Sequence, residues 1–255
     1  MKNKFFGLRI ITNLHCNQRC RFCFQVDKSN KILSLDEIDR RLSLFPIKSF
    51  KYATIMGGES FVLPNLHQYV YVASSFANEV RITTNGSLIT REKLLRFKKL
   101  GLTGINISVA SIKKYKEITN SKYDWPFILD KIKIAQEIFP DTARINMALC
   151  KENMFGEIKE MIHFFVSEMK LNVTICEDVL ETYKALDDTE GKLGAKIVED
   201  SGYGLVFLEH EGKRFGYYSH KDNYKNTDFI LSPIGHFIAW NEYCQKVGLN
   251  YDNKD

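Results

Sequence analysis

No apolar run of about eighteen residues occurs anywhere in the chain, so no transmembrane helix is expected. The first residues, Met1-Lys2-Asn3-Lys4-Phe5-Phe6-Gly7, carry charge, but Arg9 interrupts any apolar segment long enough for a signal peptide. A basic stripe is also missing. The formal net charge of +5 is mild and dispersed, which gives no specific nucleic-acid signal but suits an anionic substrate or cofactor. There is no C-x2-C pair after residue 23, no internal repeat and no low-complexity linker. Six cysteines with three of them clustered fit a metal site in a reducing compartment better than a disulfide framework, so a cytoplasmic protein is expected. An apolar content of 44% and a charged content of 26% are ordinary for a globular protein, and 255 residues suffice for one large core.

What the chain does have is Cys16-Asn17-Gln18-Arg19-Cys20-Arg21-Phe22-Cys23, three thiols at C-x3-C-x2-C spacing. Soft thiolates favour iron–sulfur clusters, zinc or copper(I), and a structural tetrahedral site closes with four protein ligands. Three cysteines on one loop suit a cubane cluster whose fourth iron is left open. Two other readings stand beside it. One is a zinc knuckle completed by His15, which would have to fold back onto the metal of its own neighbour. The other is plain surface thiols in a reducing cell.

Along the chain, β-branched runs alternate with helical patterns. Strands are predicted at Leu8–Thr12, Tyr52–Met56, Val80–Thr84, Gly104–Val109, Ala143–Leu149 and Leu171–Cys176. Ser34-Leu35-Asp36-Glu37 has the form of a capping box, Thr90 caps a further helix, and Asn85-Gly86 is a turn pair. Ile158, Met161, Ile162, Phe165, Val166 and Met169 mark the clearest amphipathic helix, with Asn153 as its expected N-cap. Six such units predict an α/β fold, a parallel sheet with right-handed crossovers forming an open, partial (β/α)6 barrel over residues 1–176. In such a barrel ligands gather at the C-terminal ends of the strands, where the cysteine loop, Gly57-Gly58-Glu59 and Thr83-Thr84-Asn85 all fall. Residues 177–255 are expected to form a small α+β extension over the barrel mouth. A helix is predicted around Glu190–Glu199, then a hairpin turning at Glu211-Gly212-Lys213, then an aromatic-rich stretch from Tyr224 to Trp240 without regular period.

The cysteine loop resembles that of the radical S-adenosylmethionine (radical SAM) enzymes, and further segments extend the resemblance over about residues 8–176. It implies that Cys16, Cys20 and Cys23 hold one [4Fe-4S] cluster whose open iron is chelated by the amino and carboxylate groups of SAM. An electron then cleaves SAM to a 5′-deoxyadenosyl radical that abstracts hydrogen from a substrate. Met56-Gly57-Gly58-Glu59 resembles the segment that contacts the SAM amino group, with Ser60 where a proline is usual. Physically, two glycines free the backbone for close approach, and a carboxylate suits an ammonium. Thr83-Thr84-Asn85-Gly86 and Ile107-Ser108-Val109-Ala110-Ser111 resemble two further SAM-proximal segments, the second with Ala110 in place of an acid. Phe22, Gly57, Gly58, Glu59, Thr84, Asn85, Ser108 and Asn146 are therefore the candidate cofactor contacts. An electron donor such as flavodoxin or ferredoxin is implied as partner.

Within that family, Leu8-Arg9-Ile10, Arg144-Ile145-Asn146 and Asn153-Met154-Phe155-Gly156-Glu157-Ile158 resemble the GTP 3′,8-cyclase branch, although the second-cluster cysteines of that branch are missing. Arg9 is the leading anion-binding candidate, with pairing to a carboxylate as its alternative. Glu177 and Asp178 are candidates for substrate hydroxyls or amines. Tyr217, Tyr218, His220 and Trp240 could stack on a ring or form a small aromatic core. Cys150, Cys176 and Cys244 read as buried small hydrophobes or as ligands of an auxiliary cluster. The preferred substrate is a small, anionic nucleotide-like or sugar-like molecule. The alternatives are a ribosomally made peptide or, in another class, a non-catalytic Fe–S or zinc binding module.

Overall fold

Six strands follow one another as parallel neighbours in chain order: β1 (Gly7–Ile11), β2 (Phe50–Met56), β3 (Ala77–Thr84), β4 (Gly104–Ser108), β5 (Ala143–Leu149) and β6 (Asn172–Glu177). The computed structural model describes residues 7–150, 153, 156–177, 195–200, 205–218, 228–237 and 240–247. Between the strands run α1 (Leu35–Leu42), α2 (Leu66–Phe76), α3 (Arg91–Lys99), α4 (Tyr115–Thr119) with α5 (Trp125–Ile138), and α6 (Gly156–Ile162). Parallel neighbours need a crossover between each pair, and these helices supply it. Both predicted N-caps hold, with Ser34 Oγ accepting from Glu37 N at 3.2 Å and Thr90 Oγ1 from Lys93 N at 3.2 Å, but the Glu37 carboxylate bonds Arg40 and Arg41 instead of closing a capping box. The predicted amphipathic helix begins as α6 and widens into a π-helical stretch over His163–Glu168, where Met169 N bonds Phe164 O at 3.0 Å.

Strand alternation builds the core. Ile10, Ile55, Ile82, Ile107, Ile145 and Ile175, one from each strand, are at most 1% exposed and form a band beneath the helices. Each contributes roughly 1.5–3 kcal/mol of burial. Residues of the opposite parity, among them Arg9, Thr54, Asn106, Ser108, Asn146 and Thr174, lie on the other face of the sheet, which is markedly polar.

The open barrel is extended on both sides by later strands. β9 (Lys213–Tyr218) pairs parallel with β6, and β10 (Phe229–Ser232) pairs parallel with β1. Antiparallel strands lie outside them: β8 (Leu205–His210) and β7 (Lys196–Asp200) on one side, β11 (Gly235–Phe237) on the other. Among the described residues, eleven strands have the order β11-β10-β1-β2-β3-β4-β5-β6-β9-β8-β7, an unclosed sheet. The predicted hairpin is present, with Gly212 at φ +72° in its turn. The helix expected around Glu190–Glu199 is not, since residues 196–200 are a strand paired to β8 and residues 190–194 lie outside the described residues. Two β-branched residues, Ile197 and Val198, favour the extended form there. A further helix, α7 (Trp240–Lys246), follows.

A buried carboxylate ties β10 to the barrel. Asp228, fully buried, accepts from Arg9 Nε at 2.5 Å and from Tyr52 Oη at 2.7 Å. Gly7 makes room for this group, because a Cβ there would lie 2.4 Å from both Asp228 Oδ1 and the Tyr52 ring. No helix among the described residues is long and apolar enough to cross a membrane.

Candidate active site at the cysteine loop

The loop leaves the C-terminal end of β1, and its first residues lie against the end of β2. Gly58 N donates to Asn13 O at 2.8 Å and Glu59 N to His15 O at 2.9 Å. The approach is close enough to require glycine: a Cβ on Gly58 would meet His15 O at 2.2 Å, and one on Gly57 would meet Asn13 Oδ1 at 2.6 Å. The space beside both glycines is filled by the residues that lead into the cysteine loop.

Glu59 is 1% exposed, and its carboxylate is met by three protein donors. Oε1 accepts from Phe61 N at 3.0 Å and Thr84 Oγ1 at 2.7 Å, while Oε2 accepts from Asn85 N at 2.8 Å. Burial raises its pKa and these three hydrogen bonds oppose the rise. Asn85 carries the connection onward: its Nδ2 donates to Asn17 Oδ1 at 2.8 Å and stands 3.9 Å from Cys16 Sγ. Asn17 Nδ2 in turn donates to Ser87 Oγ at 2.9 Å. Gly86, at φ +81°, makes the turn that brings Asn85 and Ser87 to the loop.

The far side of the loop is anchored on α4. Arg19 N and Arg21 N donate to Thr119 O and Ile118 O, each at 3.1 Å, and Gln18 Nε2 donates to Tyr115 Oη at 3.1 Å. Phe22 packs against the small cluster of Ala110, Ile118 and Cys150. The loop is thus held between β2, β3 and α4.

Cys16 is buried, while Cys20 and Cys23 are half-buried. Burial pushes the Cys20 thiol up to about 12, with the Cys23 and Cys16 thiolates as the next causes, and burial likewise raises Cys16. The Cys16 and Cys20 thiolates are thus disfavoured unless a cationic group compensates them, which is what the core of an iron–sulfur cluster would supply. The donor set therefore fits the cluster. Among the described residues no three His, Cys, Asp or Glu side chains, the loop cysteines included, are grouped as they would be around a single metal ion.

Other candidates fall in varied places. Ser108, at the end of β4, and Asn146, in the middle of β5, are partners in register, half-buried on the polar face, and make no side-chain hydrogen bond among the described residues. Arg9 has the carboxylate partner described above. Asn153 is not the N-cap of α6, which begins at Gly156. Its side chain instead accepts from Cys150 N at 2.9 Å and donates to the carbonyls of Ala148, at 2.6 Å, and Ala110. It thereby ties the end of β4 to the end of β5. Tyr217 is a core residue, Cys150 and Cys244 are buried, and Cys176 is half-buried. Asp178 and His220 lie outside the described residues, as do the side chains of Glu177, Tyr218 and Trp240. Sequence reasoning missed Lys28, whose Nζ lies 2.7 Å from Cys23 Sγ, and Tyr243, whose hydroxyl donates to Gln25 Oε1 at 2.6 Å. Only the nearness of Lys28 to the loop in sequence could have pointed to it.

Residues 10–165 match the family described as the radical SAM superfamily. A GTP 3′,8-cyclase of Stenotrophomonas maltophilia is 29% identical over 56% of this chain and 46% of its own length. A GTP 3′,8-cyclase of Lactiplantibacillus plantarum is 28% identical over 96% of this chain and 76% of its own length. The chain thus spans about half the length of the first of these relatives and three quarters of the second. Among solved structures, SuiB of Streptococcus suis bound to the precursor peptide SuiA superposes with a TM-score of 0.57 at 19% identity, over 69% of this chain and 40% of that one, a likeness of fold. With a family match across most of the barrel and the three-cysteine loop at its rim, the chain belongs to the radical SAM superfamily, whose enzymes use a [4Fe-4S] cluster and S-adenosylmethionine.

Proposed function

We propose that this protein is a cytoplasmic radical SAM enzyme acting on a small, anionic nucleotide-like or sugar-like substrate. The observation that carries the reading is the cysteine loop bonded at once to the Gly57-Gly58-Glu59 and Thr84-Asn85 segments on one rim. Cys16, Cys20 and Cys23 are the proposed cluster ligands. When bound, the cluster and SAM supply an electron and a 5′-deoxyadenosyl radical for hydrogen abstraction.

The chain's own work is positioning and exclusion. Glu59 holds Thr84 and Asn85 against the loop, so the backbone of residues 57–59 presents a fixed edge to SAM. Ser108 and Asn146 have hydrogen-bonding capacity left for the nucleoside or methionine end of SAM, and Phe22 gives the loop an apolar underside. Arg9, fixed by Asp228, and Glu177 are the proposed substrate contacts. Residues 177–255 are proposed as an extension over the mouth of a barrel built by residues 1–176. In support, Tyr243 and Cys244 of α7 pack with Ile11 and Leu14 where β1 enters the cysteine loop. The nucleotide preference draws on the cyclase relatives and on the net charge of +5. A flavodoxin or ferredoxin is the proposed electron donor.

The test is anaerobic turnover with SAM, dithionite and a panel of nucleoside triphosphates and nucleotide sugars, measuring 5′-deoxyadenosine. A panel member should raise its yield severalfold over the substrate-free rate, and Cys20→Ala should form none. Stimulation by a peptide alone would move the substrate to the ribosomal-peptide class. SAM turnover equal in wild type and Cys20→Ala would overturn the reading.

A further inference from the structure

The three cysteine sulfurs have unequal surroundings. Cys16 Sγ has amide donors, Gln18 N at 3.4 Å and Asn85 Nδ2 at 3.9 Å, and the atom beside Cys20 Sγ is an acceptor, Gln18 Oε1, at 3.6 Å. Cys23 Sγ also has an acceptor beside it, Gln25 O at 3.6 Å, but of the three sulfurs it is the one with a charged donor among the described residues, the Lys28 ammonium at 2.7 Å.

This contact is built by the surrounding loop. Gln25, 2% exposed, receives the Tyr243 hydroxyl on Oε1 and donates through Nε2 to Asp27 O at 3.1 Å. That fixes the backbone just before Lys28. The adjacent carboxylate does not neutralise the ammonium: Asp27 accepts from Ser29 N at 2.7 Å and faces Lys31 Nζ at 3.9 Å. Among the described residues Lys28 has no carboxylate partner. A half-buried positive charge, unneutralised and held against one thiolate, favours whichever state of that thiolate's partner carries more negative charge.

We infer that Lys28 is a positioning residue that raises the reduction potential of the cluster by donating a charge-assisted hydrogen bond to the Cys23 sulfur. One-electron reduction adds a negative charge to the cluster, and the Lys28 ammonium stabilises that charge; hydrogen bonds to the sulfurs and net charge are among the determinants of cluster potential. Tyr243 and Gln25 hold the lysine in place, so the C-terminal helix takes part in setting how readily the enzyme accepts its electron. The inference rests on the proposed ligation by Cys16, Cys20 and Cys23.

The test compares wild type, Lys28→Met and Lys28→Arg after anaerobic reconstitution. Iron and sulfide are measured first, followed by potentiometric titration of the EPR signal of the reduced cluster, normalised to loaded cluster so that incomplete loading does not hide the result. Lys28→Met should disfavour reduction about tenfold, a midpoint about 59 mV more negative for a one-electron couple. Lys28→Arg, which keeps the charge and its N–H donors, should stay near wild type. A Lys28→Met midpoint equal to wild type would overturn the role of Lys28 while leaving the cluster reading intact. Wild type that takes up no iron would overturn both.

Discussion

The two halves of the rim satisfy their polar groups in opposite ways. Between β1 and β3, Asn13, Asn17, Glu59, Thr84 and Asn85 are bonded to one another or to the backbone. Between β4 and β6, Asn153 and Glu157 are bonded around the strand ends, but Ser108, Asn146 and Thr174 are half-buried and make no side-chain hydrogen bond among the described residues. Buried polar groups are costly without partners, so the first half is a finished framework that stands without a ligand. In the proposed function, these three side chains of the second half are kept for a ligand. Below the framework half lies the Arg9–Asp228–Tyr52 group, which fastens the C-terminal segment to the same strands. Substitutions should therefore cost stability on the framework half and ligand affinity on the other.

The largest stability loss is expected at Asp228→Ala, which removes the buried carboxylate that Arg9 and Tyr52 both bond, a cost of about 3–5 kcal/mol by chemical denaturation. Adding Arg9→Met should restore a good part of it, and full additivity of the two changes would show that the pair does not interact. Next comes Gly58→Ala, whose Cβ must displace the His15 carbonyl. It should cost about 2–3 kcal/mol, within the upper range for single substitutions, and lower iron loading by moving the cysteine loop. Glu59→Gln replaces an acceptor with a donor facing other donors, for about 1–3 kcal/mol, read as a Tm lower by several degrees. The smallest stability effects belong to Ser108→Ala and Asn146→Ala, each expected within about 0.5 kcal/mol of wild type. Calorimetric titration should nevertheless show SAM binding to them weakened roughly 2–10-fold, the worth of about one hydrogen bond. Equal SAM affinity in both variants would erase the distinction between the halves.

Much of this was legible in the residues. The band of isoleucines alternates with polar positions on each barrel strand, so period and chain order together fix a parallel open barrel. β10 was not visible, because Phe229, Ile230, Leu231 and Ser232 are all buried and no alternation marks them. β7 was hidden for the opposite reason: it is exposed along its whole length, and only pairing with β8 defines it. In the site, cysteine spacing is a chemical statement that needs no register. The partners of Glu59 depend on which way one carboxylate turns between two strand ends, and local sequence does not encode that. Asp228 lies far from Arg9 in the chain, and the pair emerges only once β10 joins β1.

The central claim is that the cysteine loop holds a four-iron cluster, and it is tested most directly by iron and sulfide per chain, with EPR after dithionite, in anaerobically reconstituted wild type and Cys20→Ala. About four irons and four sulfides in wild type, a reduced-cluster signal altered by SAM, and loss of both in the folded variant is the predicted result. Iron binding and signal unchanged by Cys20→Ala, or folded wild type that takes up no iron, would contradict it.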